Sequence, residues 1–170
     1  YTLPGEAVRA RAERWATPRP AELGKLRLAF TEDFGFAPTE QAIRRVFRAR
    51  VKRLAPRFAE SREATPNCAG ADDAFAVLRA GMFLATHGKN YKERPEMLGP
   101  NVRANVEEGL GYTLEDHARA STTQTKIYRA YQSFFETCDV LISPTITLSP
   151  RPWSEPHPAE IDGAPTRSYF

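Results

Sequence analysis

Seven serines are the residues of this sequence whose chemistry suits a hydrolytic nucleophile. A serine nucleophile needs a base within hydrogen-bond reach and backbone N–H groups that stabilise an oxyanion. The sequence has no Ser-Ser pair, no Gly-Gly pair and no G-x-S-x-G motif, and no serine lies in a glycine-rich turn that would offer such donors. The serines stand at positions 61, 121, 133, 143, 149, 154 and 168. We therefore predict no complete serine-hydrolase site, and no catalytic residue, within these 170 residues.

Histidines and cysteines are the next candidates, as ligands for a metal. His87, His117 and His157 are far apart in sequence, and neither H-E-x-x-H nor another compact metal motif is present. We expect His87 to end a helix, where a positive charge is favourable, and His117 to be structural. Cys68 and Cys138 have no metal-ligand spacing, which favours two reduced thiols and leaves a structural disulfide as the alternative. No metal site and no cofactor are predicted.

The charged residues fall into local groups on predicted helices. Adjacent acidic residues, Asp72-Asp73 and Glu107-Glu108, point about 100° apart on a helix, so neither pair converges on one substrate and both fit solvated faces. A basic stripe on another helix comprises Arg44, Arg45, Arg48 and Lys52. It has no interleaved aromatic residues for base stacking, and the net charge is only +3. Nucleic-acid binding is therefore not predicted.

Strands and helices are expected to alternate along the first half of the chain. Residues 25–31 read as a strand, and Thr39 is suited to cap a helix that ends near Leu54. Residues 57–64 read as a weaker second strand. A helix is expected over residues 72–87, with Gly88 as its stop signal. A strand–helix order of this kind indicates the α/β fold class.

The second half continues with two helices and a strand. Pro100 suits the first turn of a short helix that ends near Gly109. Thr113 begins a capping box, and the helix that it opens is expected to reach Thr137. The apolar run that follows, Val140-Leu141-Ile142, is bounded by Pro144 and predicts a strand buried on both faces.

Three regions follow from this pattern. Residues 1–24 are expected to form a surface segment with a short helix near residues 6–15, and residues 25–149 a partial α/β domain. Residues 150–170 are expected to form a proline-rich irregular arm, because proline cannot pair within a central strand. The hydrophobic content of 41% and the aromatic content of 11% indicate a folded protein.

The sequence also bears on location. It contains no run of 18 apolar residues and begins without a basic n-region or an apolar h-region, so we predict no membrane association and a cytoplasmic protein. A chain that begins with Tyr1 and ends with Phe170 looks cut at both ends, and we expect a fragment.

Several strings, taken in order, resemble the amidase signature family. The clearest is D-V-L-I-S-P-T at residues 139–145, which is similar to the D-V-L-L-T-P-T-like segment that follows a long helix in the family. Other similar strings are L-R-L-A-F-T-E-D-F-G-F-A-P from Leu26, A-G-A-D-D-A-F from Ala69, G-P-N-V-R-A-N-V-E-E-G from Gly99 and E-I-D-G from Glu160. Together they cover about residues 22–170.

The resemblance implies a helix-rich fragment of an α/β/α sandwich with a mixed sheet. Amidases of this family cleave the C–N bond of carboxamides with a nucleophilic Ser, a bridging Ser and a Lys, all of which would lie upstream of the region matched here. A small-molecule amide is the implied substrate of the complete enzyme. Arg103 and Tyr91 are implied substrate contacts, since an Arg can hold a carboxylate by forked hydrogen bonds, although an ordinary surface Arg is the alternative.

Two functions therefore remain open at this point. One is part of an amidase-family hydrolase that is inactive on its own. The alternative, favoured by the missing catalytic residues, is a non-catalytic α/β module that binds a protein partner or a small ligand. In a partial sheet the edge strands are open, which favours association into a homo-oligomer.

Overall fold

The computed structural model describes residue 16 and residues 20–152, 154–155 and 157–166. Most of the predicted surface segment, including its short helix, lies outside these residues. The helices are α1 (Gln41–Leu54), α2 (Ala71–Glu93), α3 (Pro100–Gly111) and α4 (Leu114–Thr137), with short 3-10 turns at Leu23–Lys25, Ala55–Arg57 and Pro95–Met97. The strands are β1 (Arg27–Phe30), β2 (Glu60–Glu63), β3 (Val140–Ile142), β4 (Glu160–Ile161) and β5 (Ala164–Pro165). This order confirms the α/β fold class.

The main sheet is built around β1. Its strand order is β2-β1-β3, and both pairings are parallel, with Ala29 opposite Arg62 on one side and Leu141 on the other. Leu28 and Ala29 are fully buried at the centre of the sheet. Among the described residues this sheet is purely parallel, and the antiparallel pairing that a mixed sheet requires occurs only in a separate hairpin of β4 and β5.

The strand β3 is less buried than its sequence predicts. Val140, Leu141 and Ile142 are all half-buried, so the prediction of a strand buried on both faces was wrong. The reason is topological. β3 pairs with β1 on one side and occupies the end of the sheet, where no other described strand covers it.

The helical layer depends on the close approach of α2, α3 and α4. Ala74 and Val77 of α2 pack with Ala120 of α4 in one buried cluster. Gly109 of α3 lies so near α2 that a Cβ there would stand 2.6 Å from the carbonyl oxygen of Ala80. Only glycine fits at this crossing, because any side chain would collide with backbone.

The helix α2 runs past its predicted end. It continues through His87 and Gly88 to Glu93, so neither the Gly88 stop nor the terminal position of His87 was correct. Glycine weakens a helix but does not end one when neighbouring helices pack against it. The helix instead ends at Glu93, because the next residue, Arg94, precedes Pro95 and is driven away from helical backbone angles.

The N-termini of α1 and α4 are capped in different ways. The capping box of α4 is confirmed: the Thr113 hydroxyl accepts from the Asp116 N–H at 3.1 Å, and the Asp116 carboxylate accepts from the Thr113 N–H at 2.7 Å. In α1 the predicted Thr39 cap was wrong, since the hydroxyl of Thr39 donates to the carbonyl of Ala37. The first N–H of α1, from Gln41, donates instead to the distant Asp162 carboxylate.

Asp162 comes from the proline-rich arm, which is not irregular throughout. Strands β4 and β5 form an antiparallel hairpin whose turn is Asp162-Gly163, with φ of +49° and +84°. These are the backbone angles of a tight hairpin turn, for which Asp-Gly is a favoured dipeptide. The hairpin therefore interrupts the predicted irregular arm and closes over the start of α1.

The junction between α4 and β3 is held by an ion pair. The Arg27 guanidinium donates to both oxygens of Asp139, at 3.0 Å from Nε and 2.9 Å from Nη2. Two further bonds join the same residues, one from the Arg27 N–H to the Asp139 carboxylate and one from the Asp139 N–H to the Arg27 carbonyl. These contacts join residues 112 positions apart and hold β3 beside β1.

We expect Asp139→Asn to lower stability at neutral pH and to flatten its dependence on acid. Hydrogen bonds from Arg27 lower the pKa of Asp139 to about 2, below the value of about 3.9 in an unfolded chain. The stabilisation is thus fully present above about pH 4 and is lost as the pH falls toward 2. The measurement is the urea midpoint, by circular dichroism, between pH 7 and pH 2.

The matched control is Glu96→Gln, which removes an exposed carboxylate from the Pro95–Met97 turn. It should leave the acid-dependent fall of the urea midpoint unchanged. A fall of equal size in the wild type and in Asp139→Asn would show that the ion pair does not stabilise the fold.

Candidate functional site

A cavity in the described part of the chain lies where the three parallel strands end. It has a volume of about 980 Å³ and is bounded by the segments that follow the strands, through Phe36–Pro38 after β1, Gly70 after β2 and Thr147 after β3. The start of α2, parts of α3 and α4, and the β4–β5 hairpin complete its wall. Ligands of open α/β sheets bind in the crevice outside the carboxyl ends of the strands. We call this space the carboxyl-edge cavity.

Its wall is aromatic on several sides. Phe36, Phe75 and Tyr112 line it, together with small residues of the helical core such as Ala74 and Ala120. A volume of this size is typical of small-molecule sites, and six of the residues that line this one are charged.

The loop that presents Phe36 is held by charge pairs at its base. The buried carboxylate of Glu32 accepts hydrogen bonds from Arg48, one of them 2.7 Å long from Nη2, and Arg44 pairs with Asp33 at 2.8 Å. Two members of the predicted solvated basic stripe thus bind acids of this loop. The Arg48 side chain is 66% exposed, as predicted, whereas the Arg44 side chain is only 28% exposed, so the prediction was wrong for Arg44. Glu32 and Asp33 lie just after β1, and their arginine partners lie on α1, the helix that follows the loop.

The same loop has an unusual backbone. Phe34 has φ of +53°, which is rare for a bulky side chain, and Gly35 follows at +78°. The hydroxyl of Thr31 accepts from the Phe34 N–H at 3.1 Å, and the Asp33 carboxylate accepts from the Gly35 N–H at 2.8 Å. These bonds hold a tight turn that places Phe36 at the cavity wall.

Arg79 organises the opposite wall. Its side chain is only 9% exposed, and it donates to Asn105 at 2.7 Å and to Glu108 at 2.8 Å. Its guanidinium also lies over the ring of Phe75, 5.5 Å from the centroid. Tyr112 donates to the other oxygen of Glu108 at 2.9 Å, and burial together with this bond raises the pKa of Tyr112. This network fixes two of the aromatic wall residues.

Acidic side chains meet at the cavity from different elements. Asp72 and Asp73 at the start of α2, Glu108 of α3 and Asp116 of α4 all line it. Asp72 and Asp73 line the same cavity, contrary to the prediction that adjacent acids do not converge, whereas only Glu108 of the second pair lines it. The packing of three helices brings acids of different helices to one space. Glu108 in particular was wrongly predicted as part of a solvated face, because its partners Arg79 and Tyr112 are distant in sequence or one turn away.

The two predicted substrate contacts lie elsewhere. Tyr91 near the end of α2 donates to Glu107 of α3 at 2.9 Å, and this bond raises the pKa of Tyr91. Arg103 is exposed on α3 and near enough to Tyr91 to favour its ionised form. The structure thus brings Tyr91 and Arg103 near each other, but neither lines the carboxyl-edge cavity. Their role in substrate binding stays a prediction.

The other candidates from the sequence have structural surroundings. His117 of α4 packs against Gly81 of α2, where a Cβ would stand 2.5 Å from the ring, and His87 contacts the ring of Phe83. Cys68 and Cys138 are both buried free thiols, not a disulfide. No group of three or more His, Cys, Asp or Glu side chains suited to a metal ion occurs in the described part of the chain. Within that part, no helix has the length and apolar character needed to cross a bilayer.

We expect Arg79→Leu to destabilise the fold by about 1–3 kcal/mol, since it removes two charge-assisted hydrogen bonds from a buried position. The readout is the free energy of urea unfolding. Arg129→Leu, which changes an exposed arginine of α4, is the matched control and should stay within about 0.5 kcal/mol of the wild type. Equal effects of the two substitutions would contradict the organising role of Arg79.

Comparison with solved structures identifies the fold. The chain superposes on a bacterial aryl acylamidase of the amidase signature family with a TM-score of 0.70 and 13% identity, over 87% of this chain and 33% of the acylamidase. It superposes on a second structure, described as an amidase, with a TM-score of 0.71 and 22% identity, over 81% of this chain and 32% of the other. This chain thus spans about a third of the length of these structures.

No protein-family profile and no curated protein matches the sequence. At the identities of the two solved structures, likeness establishes fold alone, and it agrees with the order of the strings found in the sequence. The chain has the fold of one part of an amidase signature enzyme.

Proposed function

We propose that this chain is the part of an amidase-family hydrolase that shapes the amide pocket, while an upstream part of the enzyme supplies the Ser-Ser-Lys residues. The observation that supports the proposal is the position of the carboxyl-edge cavity. A space of about 980 Å³ lies at the end of the sheet where α/β enzymes bind ligands, in a chain with an amidase-like fold.

The chemistry divides between the two parts. In the complete enzyme the nucleophilic Ser attacks the amide carbonyl, the second Ser and the Lys transfer its proton to the leaving amine, and water then hydrolyses the acyl-enzyme. The present chain contributes binding. Phe36, Phe75 and Tyr112 offer an apolar wall that would bind an aryl or alkyl group of the substrate and exclude water from the reacting bond.

Arg103 and Tyr91 form a second proposed contact region. Their closeness across α2 and α3 suits a carboxylate or another polar group at the far end of a long substrate. The free thiols Cys68 and Cys138 fit a reducing compartment, and we place the protein in the cytoplasm. Nucleic acid is not among its proposed partners.

A second candidate is a binding module without catalysis. It is favoured by one observation, namely that the 170 residues contain no Ser-Ser pair and no glycine-rich serine turn that could supply a nucleophile. Such a module would bind a small ligand without any upstream part. Hydrolysis by the longer polypeptide separates the two candidates.

The purified 170-residue chain is expected to release no amine from amides, because it lacks the nucleophile and its proton relay. The assay is the release of a coloured aniline from a para-nitroanilide and of ammonia from a primary amide. A polypeptide extended upstream through a Ser-Ser-containing, glycine-rich segment should hydrolyse at least one of these substrates. Its Ser→Ala variant at the nucleophile is the control and should not.

Amide hydrolysis by the 170-residue chain alone would refute the proposal. So would an upstream sequence that contains no Lys and no serine pair, which would leave the binding module as the better account.

In the extended enzyme, Phe36→Ala should raise KM for a neutral aryl amide by about tenfold, since it removes apolar contact area worth about 1.4 kcal/mol. Arg103→Gln should raise KM only for amides that carry a carboxylate, since its charge has no partner on a neutral substrate. Each variant serves as the control for the other. If neither changes KM for any amide tested, the proposed contacts are refuted.

A further inference from the structure

The β4–β5 hairpin is a lightly held part of the wall of the carboxyl-edge cavity. Ile161, Pro165 and Thr166 line that cavity. Ile161 is 7% exposed and is the buried side chain of residues 159–166, whereas most of the others are exposed. Each strand has two residues, and a hairpin of two strands is only marginally stable by itself in water. Its position therefore depends on the elements that it rests against.

The hydrogen bonds of the hairpin are mainly internal. The Thr166 N–H donates to the Ala159 carbonyl at 3.0 Å and closes the hairpin beyond its strands. Among the described residues, a single hydrogen bond joins residues 159–166 to another element, from the Gln41 N–H of α1 to the Asp162 carboxylate at 2.5 Å. The hairpin is thus a closed unit that one bond and one buried side chain hold in place.

The bond to Asp162 is favourable but readily exchanged for bonds to water. Gln41 is the first residue of α1, so its N–H has no acceptor within the helix, and a carboxylate is favoured at this positive end of the helix dipole. Both residues are exposed, and water replaces exposed hydrogen bonds at little cost. We call this bond the latch.

The support of the latch stays in place when the latch opens. The Glu40 carboxylate accepts from the Ser149 N–H at 3.0 Å, which holds the chain that leaves β3 against the start of α1. Farther along α1, Arg44 pairs with Asp33 at 2.8 Å, at the base of the loop that follows β1. Neither contact involves the hairpin. Release of Asp162 therefore frees the hairpin alone.

The geometry points to a lid. We propose that the β4–β5 hairpin closes the carboxyl-edge cavity over a bound amide and, by opening of the latch, lifts from α1 to admit the substrate and release the product. This inference rests on the proposed function. A ligand in the cavity would contact Ile161 of the hairpin only in the closed form, and its binding would therefore stabilise that form. Closure would also keep bulk water away from the reacting bond.

The first test measures how often the hairpin lifts, by hydrogen exchange and NMR of the 170-residue chain. The protection of the Gln41 N–H should be at least about tenfold lower than that of the Thr31 N–H, which donates to the Ile142 carbonyl at the end of the main sheet. The Thr166 N–H, which is bonded within the hairpin, should keep more protection than Gln41, because a lid lifts as a unit.

Substitutions at the latch give a matched comparison. Asp162→Gly removes the carboxylate and keeps a residue that readily adopts the positive φ of the turn. It should speed the exchange of Gln41 by about tenfold, as expected for the loss of a charge-assisted hydrogen bond, and leave Thr31 unchanged. Asp162→Asn retains an acceptor and suits the same turn, so it should change the exchange of Gln41 by less than about threefold. Glu160→Gln alters an exposed charge of the same hairpin and is the control that should change nothing.

The second test asks whether the hairpin closes on the substrate. In the extended enzyme, Asp162→Gly should raise KM for a neutral aryl amide by about tenfold, because the closed complex loses the latch. Asp162→Asn and Glu160→Gln should keep KM within about threefold of the wild type.

Equal protection of Gln41 and Thr31, or equal acceleration of both by Asp162→Gly, would overturn the inference, since the hairpin would then be a fixed part of the fold. If Asp162→Gly fails to fold, the protection in the unaltered chain decides. Hydrolysis with an unchanged KM in Asp162→Gly refutes the lid and leaves the proposed function standing. If the extended polypeptide hydrolyses no amide, the proposed function is refuted, and the exchange rates alone decide whether the hairpin lifts.

Discussion

The hydrogen-bonded pair of Arg27 and Asp139 is the interaction on which the rest of the described structure depends. It ties the first residue of β1 to the residue that precedes β3, across more than a hundred positions of chain. The register of β3 on β1 follows from it, and so does the place where α4 ends. Because α4 also packs on α2, the pair couples the sheet to the helical layer that forms the cavity wall. One ion pair thus joins the two halves of the fold.

Features that depend on nearby residues were predictable from the sequence. The capping box of Thr113 needs only a residue three positions away, and Pro100 suits the first turn of α3 because its missing N–H leaves no bond unmade there. The order of the strings that resemble amidases likewise predicted the fold that the solved structures share. Where the sequence misled, the deciding contact came from far along the chain. Thr39 had the residue type and position of a cap, but the first N–H of α1, from Gln41, donates to Asp162 of the β4–β5 hairpin.

The candidate site was largely hidden from the sequence for the same reason. The partners of Arg79 are 26 and 29 positions away, and no local pattern marks a buried arginine between two helices. The Asp-Gly turn at residue 162 was a usable signal for a hairpin, yet the surrounding prolines masked it. The space at the carboxyl ends of the strands could only be recognised once the strands were known to be parallel and adjacent. The carboxyl-edge cavity is thus formed by segments that are distant in sequence and meet only in the folded chain.

Cys138 lies at the junction that Arg27 and Asp139 hold together, and its side chain is only 1% exposed. Burial raises the pKa of this thiol, so in the closed structure it is both hidden from reagents and short of the reactive thiolate form. Alkylation of Cys138 therefore requires the α4–β3 junction to open. The rate of its modification by a thiol reagent is thus a direct gauge of how often this corner of the sheet comes apart, without any added label.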